Sequence, residues 1–249
     1  MGAAPRLSVI VPAYNGEDRL PAALAALGAW LDAHSYSTEL ILVDDCSGPA
    51  AAEVLSGFAA RRPRTSYIRN EANAGKGAGV ARGMLAATGE LRVFTDADLA
   101  YPPPEIGKIV ADLESGADVA IACRVLPESR YLMSPSFFHY LYTRHLMSRA
   151  FNLMVRATLL RDVRDSQAGL KGFTARAAGV VFPRLTIPRF GFDVEALFIA
   201  QHHGFTVRQT AVHFRYDEEP TTIRFTQSVF QMMADLARVR LNHLRGKYA

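Results

Sequence analysis

Short runs of apolar and β-branched residues recur along the first half of the chain, and segments with helical spacing of apolar positions separate them. Such runs are typical of strands that are buried on both faces of a sheet. They predict strands at 7–12, 39–45, 65–70, 91–98 and 117–124, with helices at 19–34, 50–61, 73–89 and 102–116. Alternation of strands and helices predicts an α/β fold with a mostly parallel sheet flanked by helices.

The last third of the chain has a different pattern. Residues 134–159 are aromatic, apolar and rich in basic side chains, whereas 164–173, "RDSQAGLKGF", is polar and contains glycine. The pattern then predicts a helix at 191–205, a strand at 206–214 and a basic amphipathic helix at the C-terminal end. No linker composition interrupts the chain, so we predict a single domain over residues 1–249.

Composition narrows the class of protein. The chain has 249 residues, of which 49% are hydrophobic and 21% charged, which is typical of a globular domain. No signal-peptide pattern and no run of about 18 apolar residues is present, so we expect a cytoplasmic protein, soluble or attached to a membrane surface. The net charge of +4 fits a phosphate-rich or anionic partner.

Cys46 and Cys123 are the only cysteines in the sequence. Two distant cysteines in a chain of this class are expected to be free thiols rather than a disulfide. They also do not form the spacing of a metal-binding motif.

Two aspartates, Asp96 and Asp98, flank Ala97 at the end of a predicted strand. Carboxylates this close repel each other unless both are solvated or a cation lies between them. A turn could hold them, but Mg²⁺ in proteins takes one or two carboxylates together with phosphates and waters. Their position at the carboxyl end of a buried strand favours a metal site.

Further polar residues follow the first two predicted strands. In a parallel sheet, ligands bind at the edge formed by the carboxyl ends of the strands, so these residues should lie near Asp96. Asp44 or Asp45 could cap the next helix or could accept hydrogen bonds from a ribose or a pyrimidine. The residues at this edge are Tyr14, Glu17, Asp44 and Asp45.

The turn "NAGKGAG" at 73–79 precedes a predicted helix. Its glycines could serve only the tight backbone, or Lys76 and the helix N-terminus could bind a phosphate. The spacing is not that of a Walker loop.

Six segments together resemble a known family: "SVIVPAYNGE", "LILVDDCS", "NAGKGAGVARGM", "FTDADLAYPP", "DSQAGLKGF" and "GFDVEALFIAQHHGF". Their order resembles that of inverting GT-A-fold glycosyltransferases of family 2. The chain is similar to the dolichyl-phosphate glucosyltransferases and to their dolichol-phosphate mannose synthase relatives. "DSQAGLKGF" and the closing "DLARVRLNHLRGKY" favour the glucosyl branch.

The resemblance implies transfer of a hexose from a nucleotide sugar to a polyprenyl phosphate of the dolichyl type, with inversion and with Mg²⁺ or Mn²⁺. UDP-glucose is the favoured donor, and GDP-mannose is the alternative. The first half, about 1–124, would bind the nucleotide sugar, and 125–249 would bind the acceptor and face the membrane.

The resemblance also assigns residues to roles. Asp96 and Asp98 match the motif for the metal and the diphosphate. Mannose synthases often carry a glutamine where this chain has Ala100, so a water or a phosphate oxygen must complete the metal shell here. The remaining matches are Pro12, Tyr14, Glu17 and Asp45 for base and ribose, and Arg124 and Arg130 for the acceptor phosphate.

A phosphate acceptor has a second pKa of about 6 and is a dianion at neutral pH, so it needs no general base. Asp193, in "GFDVE", matches the position at which alcohol-using relatives carry a base. Here Asp193 is expected either to act in catalysis or to orient an arginine or the sugar.

Two stretches, 134–159 and 225–247, combine bulky apolar residues with arginines. They could pack within the fold, or they could bind an anionic membrane surface. The membrane hypothesis names Phe137, Phe138, Tyr140, Leu141, Val229, Met232, Met233 and Leu236 as apolar contacts, with Arg144, Arg149, Arg156, Arg238, Arg240, Arg245 and Lys247 as basic ones.

Two other classes of protein remain open. A sugar-1-phosphate nucleotidyltransferase also combines an α/β sheet with acidic metal ligands, but its first loop is basic, whereas "PAYNGE" is acidic. A non-catalytic module that binds sugar nucleotides is the other alternative, and the presence of Asp96 and Asp98 argues against it.

Overall fold

The computed structural model describes residues 4–133, 149, 151–216 and 225–249. The described strands form a seven-stranded sheet and a separate two-stranded ribbon. The strands are β1 (Leu7–Ala13), β2 (Thr38–Asp44), β3 (Thr65–Arg69), β4 (Leu91–Phe94), β5 (Val119–Cys123), β6 (Arg130–Met133), β7 (Lys171–Thr174), β8 (Val207–Ala211) and β9 (His213–Tyr216). The helices are α1 (Leu20–Asp32), α2 (Pro49–Arg61), α3 (Lys76–Ala86), α4 (Pro104–Glu114), α5 (151–158), α6 (Ala175–Val181), α7 (Phe192–His202) and α8 (Phe225–Leu244).

The large sheet has the strand order β3-β2-β1-β4-β7-β5-β8. All its pairings are parallel except those of β7, which is antiparallel to both β4 and β5. The predicted mostly parallel sheet is therefore confirmed. In the register, Ala13 lies beside Asp44 and Ile10 beside Phe94, so the ends of β1, β2 and β4 meet at one edge.

Both faces of the sheet are covered, which explains why its strands are continuous apolar runs. On one face, Ile10, Ile41 and Phe94 pack with apolar residues of α3, α6 and α7. Their neighbours along the strands point to the other face, where they meet α1, α2 and α4. A stripe on α1 shows the helical spacing of this contact: Leu20, Leu24, Leu27 and Leu31.

Two predicted strands need correction. Strand β4 ends at Phe94 rather than at residue 98, because the chain turns after Thr95 and Leu99 adopts a positive φ of 48°. The segment predicted as one strand, 206–214, is split at Val212 between two sheets. Strands β6 and β7 were not predicted; the sequence of β7, "KGFT", begins with a lysine and a glycine, which do not indicate a strand.

The predicted C-terminal helix is present as α8. In its described part, Leu236 and Val239 are buried in the core, whereas Arg238 and Arg240 are exposed. Leu236 therefore packs inside the protein, which corrects its assignment as a membrane contact. The side chains of Val229 and Met232 and the residues 134–148 lie outside the described part of the chain.

Within the described residues, no helix is both long enough and apolar enough to cross a membrane. Cys46 and Cys123 are free thiols, as predicted, and Cys123 is buried.

Candidate active site

The loops after β1 and β2 are joined to each other at the carboxyl edge of the sheet. Asn15 has a positive φ of 57°, a conformation that asparagine tolerates better than most residues. Its backbone N–H donates to Ser47 Oγ at 2.9 Å, and its Oδ1 accepts from the Gly48 N–H at 2.9 Å. These two hydrogen bonds hold the two loops together beside the site.

Asp44 is fully enclosed at the end of β2. Its carboxylate accepts hydrogen bonds from the Ser47 N–H at 2.7 Å and from Tyr67 Oη at 2.6 Å, and it forms an ion pair with Arg69. Burial raises the pKa of Asp44, but these hydrogen bonds and the charge of Arg69 outweigh it and hold that pKa below its usual value. In this structure Asp44 holds the loop after β2 against β3. A contact between Asp44 and the nucleotide-sugar donor stays a prediction.

The neighbouring carboxylate, Asp45, holds the loop that leads into α3. Its Oδ1 accepts from Asn70 Nδ2 at 2.7 Å and from the Ala74 N–H at 2.9 Å, and its Oδ2 accepts from the Gly75 N–H at 2.8 Å. Asp45 thereby fixes the point at which α3 begins, and hence the position of Lys76.

The first turn of α3 packs tightly against the segment before α7. Gly75 has a φ of 99°, and a Cβ built on it would lie 2.6 Å from Pro188 O. A Cβ on Gly77 would lie 2.6 Å from Phe192 Cβ, and the Ala78 N–H donates to Pro188 O at 3.0 Å. Glycine is required at 75 and 77 because larger residues would separate α3 from α7.

Lys76 Nζ lies 2.5 Å from Asp96 Oδ1, so the glycine-rich turn and the aspartate motif form one site. Burial lowers the pKa of Lys76, but the negative charges of Asp96, Asp193 and Asp98 outweigh it and raise that pKa. Asp98 Oδ1 accepts a hydrogen bond from the Ala100 N–H at 3.0 Å. Burial of its carboxylate among neighbouring atoms and the charge of Asp96 raise the pKa of Asp98, although part of the residue is open to solvent.

The negative charges of Asp96 and Asp98 repel each other, and a divalent cation bound to both would reduce this repulsion. Their carboxylate oxygens are ligands that Mg²⁺ and Mn²⁺ prefer. The residues therefore fit such a metal. Within the described ranges, no group of three or more His, Cys, Asp or Glu side chains is placed to hold one. Ala100 adds no side-chain ligand, so phosphates or waters would supply the remaining positions.

A turn at 165–169 packs against Asp96. The backbone of Gly169 lies against the Asp96 carboxylate, and the Ala168 carbonyl accepts a hydrogen bond from Lys171 Nζ. Lys171 is completely buried in β7, and its Nζ lies 2.6 Å from Asp193 Oδ1 in the first turn of α7. Burial lowers the pKa of Lys171 and raises that of Asp193, while their mutual attraction opposes both shifts.

The predicted acceptor residue Arg124 has an acidic partner. Its Nε and Nη2 donate to the two oxygens of Asp165 at 2.7 and 2.8 Å, and its N–H donates to Oδ2 at 3.0 Å. Burial raises the pKa of Asp165, but Arg124 outweighs it and lowers that pKa. Arg130 is exposed at the start of β6. The acceptor contacts of Arg124 and Arg130 stay predictions.

The first-strand residues line the outer part of the site. Tyr14 is 57% exposed, Glu17 is exposed and Pro12 is partly buried. All three lie at or beyond the end of β1, where a base or ribose would find an open surface.

Sequence reasoning missed three residues that shape the site: Asp165, Gly169 and Lys171. The only sequence signal for them was the glycine and the lysine inside the block "DSQAGLKGF", which are Gly169 and Lys171. Their roles depend on contacts with residues far along the chain, so local pattern did not reveal them.

Comparison with known proteins gives the family. The model of Glycosyl transferase family 2 matches residues 8–161. The chain belongs to glycosyl transferase family 2. The predicted GT-A-type fold and a glycosyltransferase activity are thereby confirmed.

Several relatives of this family 2 chain share one name. Dolichyl-phosphate beta-glucosyltransferase of Dictyostelium discoideum is 31% identical over 253 residues, which cover 96% of this chain and 75% of the relative. The Homo sapiens protein of the same name is 31% identical over 98% of this chain and 77% of its own length.

Solved structures agree with the fold of this family 2 chain. Glucosyl-3-phosphoglycerate synthase from Mycobacterium tuberculosis, in complex with UDP, superposes with a TM-score of 0.70 at 18% identity, over 94% of this chain and 80% of that one. The same enzyme with Mn²⁺ and UDP-glucose gives a TM-score of 0.69 at 17% identity, over 94% and 79% of the two chains.

Proposed function

We propose that the protein transfers glucose from a nucleotide sugar, with UDP-glucose favoured, to a polyprenyl phosphate of the dolichyl type, with inversion at the anomeric carbon. The observation that carries the proposal is similarity over almost the whole chain to relatives named dolichyl-phosphate beta-glucosyltransferase. The site supports it, because acidic and basic side chains suited to a sugar diphosphate meet at the carboxyl edge of the sheet.

The donor would lie across the ends of β1, β2 and β4. Pro12, Tyr14 and Glu17 line the open part that would receive the base and ribose, beside the loop that Asp45 fixes. Lys76 stands at the N-terminus of α3, where both its charge and the helix dipole favour a phosphate.

Asp96 and Asp98 would hold Mg²⁺ or Mn²⁺, which when bound supplies positive charge for the leaving diphosphate. Lys76 adds a fixed cation at the same point. Because Lys76 is ion-paired with Asp96, it is already oriented towards the place where the diphosphate charge develops.

In the transfer step, an oxygen of the acceptor phosphate forms a bond to the anomeric carbon while the bond from that carbon to the donor diphosphate oxygen breaks. The electron pair leaves with the diphosphate, and attack from the opposite side inverts the carbon. The dianionic acceptor needs no proton removed. Arg124 and Arg130 would attract and orient the acceptor phosphate, and Asp165 would hold the Arg124 guanidinium in place.

The acceptor is a membrane lipid in this proposal, so the protein would bind the cytoplasmic membrane surface through its C-terminal part. The exposed arginines of α8 support this view. Residues 1–124 would then serve mainly the donor and 125–249 mainly the acceptor.

A panel of donors tests the proposal: UDP-glucose, UDP-galactose, GDP-mannose and GDP-glucose with a polyprenyl phosphate and Mg²⁺. We expect a β-linked glucosyl lipid from UDP-glucose, formed about 100-fold or more slowly by the variant Asp98→Asn. A mannosyl lipid from GDP-mannose would establish the alternative donor. Formation of a nucleotide sugar from a sugar 1-phosphate, or no lipid product from any donor, would contradict the proposal.

A further inference from the structure

Lys171 is a charged residue in a place where charge is costly. It is completely buried in β7, between β4 and β5 of the central sheet. Its ammonium donates to the Ala168 carbonyl and to Asp193 Oδ1, and it lies 5.5 Å from the ring centre of Phe94. Burying an ammonium is costly unless it is well paired. Packing alone would be served by an apolar residue.

A second lysine lies close to the same acid. Lys76 is the first residue of α3, and the next residue of that helix, Gly77, is in contact with Phe192, the neighbour of Asp193. This contact puts the first turn of α3, which carries Lys76, against the first turn of α7, which carries Asp193. The two neighbouring ion pairs, Lys76–Asp96 and Lys171–Asp193, therefore give each lysine one acid as its partner.

We propose that Lys171 is a positioning residue for Lys76: by pairing with Asp193, it leaves Lys76 with Asp96 and with the donor diphosphate. The inference rests on the proposed function, in which Lys76 contacts that diphosphate. Without Lys171, Asp193 would be a buried carboxylate with no counter-ion. The other described lysine of the site is Lys76, whose flexible four-carbon stem can turn towards it. Lys76 would then be drawn away from the diphosphate.

Four variants separate this role from a purely structural one: Lys171→Met, Asp193→Asn, the double variant with both changes, and Lys76→Met. For each, Tm is measured by thermal unfolding, and the Kd values of UDP and GDP are measured by calorimetry with Mg²⁺. The nucleotide that binds the wild-type protein more tightly is used for comparison.

Lys171→Met should weaken nucleotide binding by about 10-fold, close to the effect of Lys76→Met, since each loses one charge-assisted contact with the diphosphate. Asp193→Asn and the double variant should remain within about 3-fold of wild type, because neither has a carboxylate that attracts Lys76. Both single changes at the buried pair should lower Tm, and the double variant should recover much of the loss.

A purely structural role gives a different result. Nucleotide affinity would then follow Tm, so Lys171→Met and Asp193→Asn would weaken binding equally. That outcome, or wild-type affinity in Lys171→Met, would overturn the inference alone. If Lys171→Met does not fold, Lys171→Gln removes the same charge while still donating to the Ala168 carbonyl, and the same affinities are expected. Absence of UDP and GDP binding in the wild type, or unchanged affinity in Lys76→Met, would instead overturn the proposed function and this inference with it.

Discussion

Gly169 lies so close to Asp96 that a Cβ built on the glycine would stand 1.9 Å from Asp96 Oδ2. The contact joins the turn before β7 to the motif after β4, although the two are far apart in sequence. Because real Cβ atoms never approach an oxygen this closely, any side chain at 169 must move the carboxylate. The position of Asp96 therefore depends on the absence of a side chain at 169.

Gly169→Ala should lower turnover by about 100-fold, because a displacement of about 1 Å in a catalytic group has a cost of that size. Circular dichroism should show the fold retained. Gly179→Ala is the matched control: Gly179 is exposed in α6, a Cβ there meets nothing within 4 Å, and alanine should raise stability by about 0.5–1 kcal/mol. Equal activity in the two variants would contradict the assigned role of Gly169.

Asp98→Asn removes one of the two carboxylate charges proposed to bind the metal. Turnover should fall about 100-fold or more, and Mn²⁺ binding measured by electron paramagnetic resonance should weaken in parallel. The protein should stay folded, because Asp98 is exposed and its side chain accepts one local hydrogen bond, from Ala100. Glu53→Gln, which removes an exposed carboxylate from α2, serves as the control for the loss of charge. Turnover within a few-fold of wild type would rule out Asp98 as a ligand.

The strands of the parallel sheet could be predicted from the sequence because burial on both faces leaves an apolar run. β1, β2 and β3 begin and end within one residue of their predicted limits. The meeting of the β1, β2 and β4 loops followed from the rule that parallel strands share a carboxyl edge. That rule predicted that Asp44 and Asp45 lie near Asp96, but it did not predict the contact between Asp96 and Lys76 of the glycine-rich turn.

Other parts of the site were beyond sequence pattern. Lys171 is the first residue of β7. It is buried together with its ion-pair partner, whereas a charged residue in a sequence ordinarily indicates an exposed position. Arg124 and Asp165 are 41 positions apart, and nothing local indicates that they meet. The Asp193–Lys171 pair joins a helix to the only antiparallel strand described within the large sheet, which the alternating pattern did not predict.

Asp165→Asn should destabilise the protein at neutral pH by about 3 kcal/mol, or roughly 6–12 °C in Tm, because it leaves the Arg124 guanidinium without its carboxylate. The folded-state pKa of Asp165 lies below its usual value, so the carboxylate contributes stability above the ordinary pKa of about 4. That contribution is lost as the pH falls through the lowered folded-state pKa.

Thermal unfolding of wild type and Asp165→Asn between pH 7 and pH 3 checks the sign of this effect. The gap in Tm should be constant near neutrality and should narrow towards the acidic end. Asp32→Asn is a control, since Asp32 pairs with Arg62 at the surface, where its side chain is 69% exposed. A gap that widens with acidification would contradict the assigned role of the Asp165–Arg124 pair.

Arg130→Ala should act on the acceptor rather than on the donor. Loss of one charged hydrogen bond to a phosphate should lower kcat/KM for the polyprenyl phosphate by about 10- to 100-fold, with donor KM nearly unchanged. Arg61→Ala, in α2 at the opposite end of the sheet from β5 and β8, should leave both values near wild type. An equal rise in donor KM for Arg130→Ala would show that Arg130 serves the donor side instead.

Membrane attachment through α8 should depend on charge, because Arg238 and Arg240 are exposed on that helix beside the exposed apolar residues Met233, Leu241 and Leu244. Each basic residue near an anionic surface contributes about 1 kcal/mol. Replacing Arg238 and Arg240 of α8, together with Arg245 directly after it, by glutamine should therefore weaken binding to anionic vesicles about 100-fold. Added salt should weaken wild-type binding as well, since it screens these charges. Co-sedimentation with vesicles of anionic and of neutral lipid measures both effects. A variant with Arg61, Arg64 and Arg176 changed to glutamine has the same net charge and should bind as wild type does. If both triple variants lose binding equally, net charge and not α8 attracts the protein to the membrane.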